Sequence, residues 1–384
     1  MKIGIITVQK APNYGAVLQC YALWKYLELQ GYDCEVIDLC REIHKDFVKS
    51  KRFSPYKILS TYNRIRKFLA DLFPFISTNR VKKRQFERKY KQELDVLNIK
   101  FAKFNSCIKY SKKYVSVDAL YQNPPDYDIY LTGSDQLWNP TQNYCIEPYF
   151  LTFVQNKGKK VSYATSIGQT VLPNKVINDY IKWLNTYTYI SVREQSAVDM
   201  LQPYIEKDIY RTIDPTFLLK RENWEDIALE PLQRSYVFCF TLYKSMDLLL
   251  CAKRYASLYN KKMVFWMQSM DETRLIDANT IGRIDISPEE WLGYVKNADV
   301  VFTDSFHGSV FSIIYNRQFY AYIPLWNNRG SRITDLLDLL QLNDRLITDL
   351  DNVPNNMIDY INVDRILCKE REKSVSYIKK AFYD

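Results

Sequence analysis

Short apolar runs alternating with amphipathic stretches constrain this chain more than any other feature. Ile3–Val8 is a mostly apolar run of the kind that forms a buried strand. A loop follows at Asn13-Tyr14-Gly15, then helical periodicity from Ala16 to Gln30 that stops at Gly31, then a second strand at Cys34–Leu39. This β-loop-α-β opening is the start of a doubly wound sheet. The alternation resumes after Pro124-Pro125, with strands at Tyr127–Thr132, Lys160–Ala164 and Ile190–Val192, the last feeding a helix through Leu201. Pro215 to Gln233 reads as an inter-domain stretch. A second series then begins: strand Tyr236–Thr241, helix Ser245–Tyr259 with Ser245 as N-cap, strand Met263–Trp266, helix Pro288–Asn297 and strand Asp299–Phe302. A helix beginning near His307, strand Phe319–Ile323, helix Ser331–Leu340 and a helical Met357–Phe382 complete the chain.

A chain of 384 residues exceeds the usual ceiling of about 250–300 for one core, so the alternation predicts two β/α domains with a cleft between them. The expected division is 1–225, 226–350 and a helical 351–384 that packs back on the first domain. With 47% hydrophobic and 25% charged residues, wholesale disorder is excluded. Two His argue against a His-rich metal centre, and no glycine-rich phosphate loop occurs among the 10 Gly. The 8 Cys form no CxxC pair and read mostly as buried small hydrophobes in a reducing compartment. MKIGIITVQK lacks the marks of a signal peptide, and no apolar run approaches the roughly 20 residues of a membrane span. The expectation is a cytoplasmic protein.

Charge is unevenly spread. Residues 41–113 hold 21 Lys+Arg against 6 Asp+Glu, a net of +15 within a chain whose total is +9. Aromatic residues such as Phe53, Tyr56, Tyr62, Phe68 and Phe75 interleave with these cations. A basic, apolar-striped segment suits an anionic membrane surface or nucleic acid phosphates; the alternative is a solvated helical insertion packed on its own domain. No nucleic-acid module signature is present, so no nucleic-acid partner is expected and the membrane surface is preferred.

Ligands of open α/β sheets sit beyond the carboxyl ends of the strands. That rule selects Asn13-Tyr14-Gly15, Gly133–Asn139, Ser166-Ile167-Gly168, Arg193-Glu194 and Thr303–Ser309. In the last loop, polar residues run into His307-Gly308-Ser309 at a helix start, which aims N–H groups and a hydroxyl at an anion. His307 at that position suits general acid or base work; the alternative is a capping or packed His. His44 reads as a surface residue. Arg193 follows a strand end, and Arg329 and Arg332 flank Gly330; Arg grips carboxylate and phosphate bidentately, or forms surface ion pairs. Asp135, Gln136 and Trp138 combine a carboxylate, an amide and an indole, a set that fits sugar hydroxyls and a sugar's C–H face, unless Asp135 merely caps a turn. The pairs Asp126/Asp128 and Asp349/Asp351 are poor metal candidates, and Cys20 reads as core. No G-x-S-x-G elbow occurs.

Six ordered segments then resemble the polysaccharide pyruvyl transferase family: MKIGIITVQKAPNYGAVLQCYALWKYL at the start, LTGSDQLWNP at 131–140, SYATSIG at 162–168, SVREQSA at 191–197, IDPTFLL at 213–219 and TDSFHGSVFSIIY at 303–315. The resemblance implies a GT-B-like α/β fold with two Rossmann-type domains facing across a cleft, the first on the acceptor side and the second on the donor side. It implies transfer of pyruvyl from phosphoenolpyruvate, a co-substrate needing no resident cofactor or metal, to a hexose hydroxyl pair, with a cyclic ketal and phosphate as products. The acceptor is implied to be a surface glycan or its lipid-linked precursor at the inner face of the cytoplasmic membrane. The family's donor-binding Arg maps onto Arg193. Its Arg-Leu-His-Gly motif maps onto Ser305-Phe306-His307-Gly308, so the His carries over and the Arg does not. Ser305, Gly308 and Ser309 are then expected at the donor, with Arg329 or Arg332 as the missing cation. Asn13, Tyr14, Gly15, Gln136, Trp138 and Ser166 are expected at the acceptor, and His307 and Asp135 divide the proton transfers. The rival readings are a nucleotide-sugar glycosyltransferase of the same architecture and a non-catalytic carbohydrate-binding protein of a glycan assembly complex.

Overall fold

Two α/β units, each with its own parallel sheet, make up the protein. The computed structural model describes residues 1–50, 74–142, 144–155, 158–169, 171–324 and 331–384. Arg329 and most of the aromatic stripe between Phe53 and Phe75 lie outside the described residues.

The first unit comprises Met1–Ile65, Asn105–Leu219 and Ile366–Asp384. Its strands are β1 (Lys2–Ile6), β2 (Asp33–Leu39), β3 (Tyr110–Tyr114), β4 (Ile129–Thr132) and β5 (Lys159–Ser162), parallel in the order β3-β2-β1-β4-β5. Two further strands, β6 (Ile190–Val192) and β7 (Ile209–Arg211), pair in parallel with each other. Bridges Val161↔Tyr189 and Thr165↔Val192 join them to the β5 side. The central strands carry apolar side chains on both faces, as burial between helix layers requires. The helix Tyr14–Leu29 is buried nearly all round. The core behind the sheet's carboxyl edge is aromatic: Trp138 stacks on Phe150 at 5.0 Å, with Tyr180, Trp183 and Tyr187 around them.

The end of the chain belongs to this unit. Within the helix Tyr360–Tyr383, the Tyr377 hydroxyl donates to Ser162 O (2.7 Å), Ser374 Oγ accepts from Ile213 N (3.1 Å) and Arg371 Nε donates to Phe217 O (2.7 Å). Hydrogen bonds to strand ends thus tie a largely polar helix down.

The second unit comprises Arg66–Phe104 and Lys220–Arg365. Strands β8 (Tyr236–Phe240), β9 (Lys262–Trp266), β10 (Thr280–Arg283), β11 (Val300–Thr303), β12 (Gln318–Tyr322) and β13 (Leu346–Ile347) are parallel in the order β10-β9-β8-β11-β12-β13. This is the Rossmann order, with its reversal between β8 and β11.

Two expectations need correction. Residues 41–113 are not one helical insertion on the first domain. Residues 74–104 group with the second unit: Phe86, on the helix Pro74–Lys89, is buried among Val237, Cys239, Leu248 and Phe265, and Lys100 reaches Glu290 (2.8 Å) and Asp285 O (2.7 Å). The far end of the segment is β3, an edge strand whose Lys112 and Lys113 are exposed. Edge strands tolerate lysine because one side faces water, so apolar periodicity does not reveal them. The boundary between the series falls at Leu219–Lys220 rather than 225. No helix among the described residues is long and apolar enough to cross a membrane.

Candidate functional site

In the first unit the strand order reverses between β1 and β4, so the crevice lies beyond their carboxyl ends. The loops there are tied together. Thr7 Oγ1 donates to Ser134 O (3.0 Å) and receives from Gln19 Nε2 (3.0 Å). Beneath them lies a buried charge cluster. Arg193, just past β6, bonds Asp214 Oδ2 through Nη1 (2.7 Å), Glu194 Oε1 through Nε (3.0 Å) and Ser134 Oγ through Nη1 (3.4 Å). Burial disfavours the Arg193 charge, but Glu194, Asp214 and Asp135 outweigh it and its pKa rises. One guanidinium so shared between two carboxylates binds the ends of β4, β6 and β7 into one body, at the desolvation cost of a buried ion cluster.

Asp135 sits above this cluster at φ 75, left-handed backbone that Asp tolerates better than most residues. Its Oδ1 accepts from Gln136 N (2.8 Å), and Ser166 N donates to its carbonyl (3.0 Å). Gln136 Oε1 accepts from Asn139 Nδ2 (2.7 Å); Gly168 beside it, at φ 61, is in the left-handed region that favours glycine. Asp135 and Gln136 are half-buried at the sheet's edge.

Arg41 is the cation that the sequence reading missed. It lies two residues past β2, where the strand-end rule points, and its guanidinium stacks over the Tyr144 ring at 4.7 Å. Burial lowers its pKa, but Tyr149, Tyr144, Asp135 and Glu42 raise it overall. His44 is not a free surface residue: Nδ1 accepts from Arg41 N (2.8 Å), and burial and Arg41 lower its pKa.

In the second unit, β11 runs into Asp304-Ser305 and the helix Phe306–Ile314. Ser305 is the N-cap, its Oγ accepting from Gly308 N (3.3 Å), while Ser309 Oγ donates back to Ser305 O (3.3 Å). Both hydroxyls and the Gly308 N–H are therefore engaged in starting the helix. Gly308 lies so close to β11 that a Cβ would come within 2.2 Å of Thr303 Oγ1. His307 is buried on the first turn, its ring edge-on to Phe306 at 5.0 Å. Arg332, near the start of the helix Ser331–Leu340, places its guanidinium 5.9 Å from the same Phe306 ring. Arg332 and His307 thus both lie near one aromatic side chain. Asp304, not singled out by the sequence reading, accepts from Leu242 N (2.6 Å) and Tyr243 N (3.2 Å). Burial pushes its pKa up to about 6, the backbone hydrogen bonds opposing the rise.

The family model for polysaccharide pyruvyl transferases matches residues 13–324, from the N-cap of the first helix to just past β12. The protein belongs to the polysaccharide pyruvyl transferase family. No curated protein matches it significantly. Among solved structures it is similar at the level of fold to UDP-GlcNAc 2-epimerases: that of Methanocaldococcus jannaschii (12% identity, TM-score 0.47, covering 96% of this chain and 99% of the other), that of Neisseria meningitidis bound to UDP-GlcNAc (9%, 0.45, 99% and 100%) and that of Rickettsia bellii (10%, 0.45, 99% and 97%).

Within this pyruvyl transferase family member, several expected acceptor contacts prove to be core. Trp138 is fully buried, with Nε1 donating to Tyr149 O (2.9 Å), so its faces are closed to a sugar. Tyr14 and Ser166 are also fully buried, and Gly15 lies inside the first helix. Asn13 caps that helix, Oδ1 accepting from Ala16 N (3.1 Å). An indole beside Asp and Gln looks like a sugar platform in sequence, but hydrophobic burial claimed it first. Asp135 and Gln136 remain at the edge.

Proposed function

We propose that this family member moves a pyruvyl group from phosphoenolpyruvate to two hydroxyls of a hexose in a surface polysaccharide or its lipid-linked precursor, forming a ketal and releasing phosphate. The family match across residues 13–324 carries this reading. A His on the first turn of the helix after β11 and an Arg near the same Phe306 ring support it chemically.

In this reading His307 delivers a proton to C3 of the enol, turning the methylene into a methyl and making C2 electrophilic. The first hydroxyl oxygen bonds C2 and gives its proton to a general base. The C2–O bond to phosphorus then breaks, the electron pair leaving with phosphate. The second hydroxyl oxygen bonds C2, and its proton goes to the departing phosphate. Arg332 stabilises the donor's negative charge in place of the Arg that Ser305 has replaced. Arg193 sits in a cluster with two carboxylates, which repels an anionic donor; its role is to hold the Asp135 loop against the ends of β6 and β7. The net +15 of residues 41–113 supports an anionic membrane surface as the place of work.

The test is incubation of lipid-linked oligosaccharides with phosphoenolpyruvate, read by phosphate release and by the acceptor's mass. The expected result is stoichiometric phosphate and a mass gain of one pyruvyl ketal. Consumption of a nucleotide sugar instead would assign a glycosyltransferase, and glycan binding without turnover a carbohydrate-binding protein.

A further inference from the structure

A second charged site lies in the second unit, away from the loop that carries His307 in sequence. A cavity of about 650 Å3 is lined by Lys82, Lys83, Lys244 and Arg274, with Asp271 and Met246 beside them. Asp271 pairs with Lys82 (2.8 and 3.1 Å) and Glu87 with Lys83 (3.7 Å), so two of the four lining cations are matched. Lys244 and Arg274 form no ion pair among the described residues.

The walls are built from three pieces of chain. Lys244 follows β8, Gln268 and Ser269 follow β9, and Lys82 and Lys83 come from the helix Pro74–Lys89 that Phe86 anchors to the unit's core. Buried carboxylates hold the loops in place. Asp304 accepts from Leu242 N and Tyr243 N, and Glu272 Oε2 accepts from Gln268 N (2.5 Å) and Ser269 N (3.2 Å). Gln268 Nε2 donates across to Thr241 O (2.6 Å), and Lys244 Nζ to Gln268 O (3.2 Å). Lys244 is kept at φ 54, a left-handed conformation that a lysine does not adopt without support. Four cations line this cavity, whose loops are held by hydrogen bonds, and the buried acids accept from the backbone.

We propose that this cavity binds the diphosphate of a sugar diphosphate esterified at both ends. Lys244 and Arg274 match the two charges of a diphosphate esterified at both ends, and a guanidinium beside an ammonium suits its adjacent phosphoryl oxygens. The volume exceeds one phosphate and leaves room for part of an attached residue. Resting on the pyruvyl transfer reading, this deepens it: the acceptor is presented as a diphosphate-linked sugar, and cations of the basic segment recognise its anionic end.

Calorimetric titration of the full chain with inorganic pyrophosphate and inorganic phosphate tests this without any turnover. Pyrophosphate is expected to bind about tenfold or more tightly than phosphate, and to weaken by a similar factor in Lys244→Gln/Arg274→Gln. Arg274→Lys should retain most of the binding. If the double variant fails to fold, Lys83→Gln, on an exposed helix face, serves in its place with a smaller loss. Displacement of pyrophosphate by a short-chain polyprenyl diphosphate sugar, or by a nucleoside diphosphate sugar, identifies which source the pocket takes. Equal binding of pyrophosphate and phosphate, no loss in the variants, or no displacement by either sugar diphosphate overturns the proposal. Absent phosphoenolpyruvate turnover with intact pyrophosphate binding would sink the pyruvyl transfer reading alone.

Discussion

A single added methyl at Gly308 would press within 2.2 Å of Thr303 Oγ1, an atom that also donates to Phe240 O and accepts from Ser305 N. Gly308→Ala is therefore expected to cost about 1–3 kcal/mol, read as a lower urea midpoint. Thr303→Ala should couple to it, the double variant losing less than the two single losses combined; strict additivity would show the contact to be soft. His307, two residues past the cap, makes the opposite prediction. His307→Ala should lower the rate of phosphate release by about a hundredfold or more while thermal stability changes little. Full activity would remove His307 from the chemistry. Ser305 shows why residue type alone misleads: its hydroxyl is an anion donor on paper and a helix cap in the fold.

At the scale of elements, Asp304 joins the loop after β8 to the end of β11 across the switch point. Its carboxyl has a pKa of about 6, raised from 3.8. The folded state thus holds this proton more tightly than the unfolded chain. The stabilisation from the protonated form is complete below the unfolded pKa and fades as pH rises through the folded one. Compared with Asp304→Asn, the wild type should lose stability as pH goes from about 4 to about 6–7, with a constant difference above that. Urea midpoints of both proteins across that range measure it, and a pH-independent difference would show Asp304 to be ionised throughout. The helix Pro74–Lys89 carries a different lesson. Its dense charge marks a solvated or membrane-bound surface in sequence, yet Phe86 buries it and Lys82 and Lys83 line a cavity. One buried aromatic among many cations is too faint a periodic signal to predict that packing.

For the whole molecule, the basic segment predicts salt-sensitive attachment to anionic lipid. At low ionic strength more protein should sediment with anionic than with neutral vesicles, and the difference should shrink as salt screens the charge. Equal sedimentation would confine the segment's cations to the protein and its ligands. Much of the architecture was legible beforehand. Strands such as Ile190–Val192 and helices such as Pro288–Asn297 and Ser331–Leu340 were readable because apolar spacing is local and each ends on a turn or cap. Strands β3, β7, β10 and β13 were not, being short or polar, and defined mainly by the neighbour that hydrogen-bonds them. The sequence alone therefore determined two β/α series, the family and the loops beyond the strand ends, since all three are written in contiguous residues. Only the tertiary structure decided that Trp138 and Tyr14 are core, that Arg193 is shared between Glu194 and Asp214, that Arg41 stacks on Tyr144, and that residues 74–104 fold with the second unit. Burial and charge pairing depend on which distant residues arrive beside a side chain, and no local pattern carries that information.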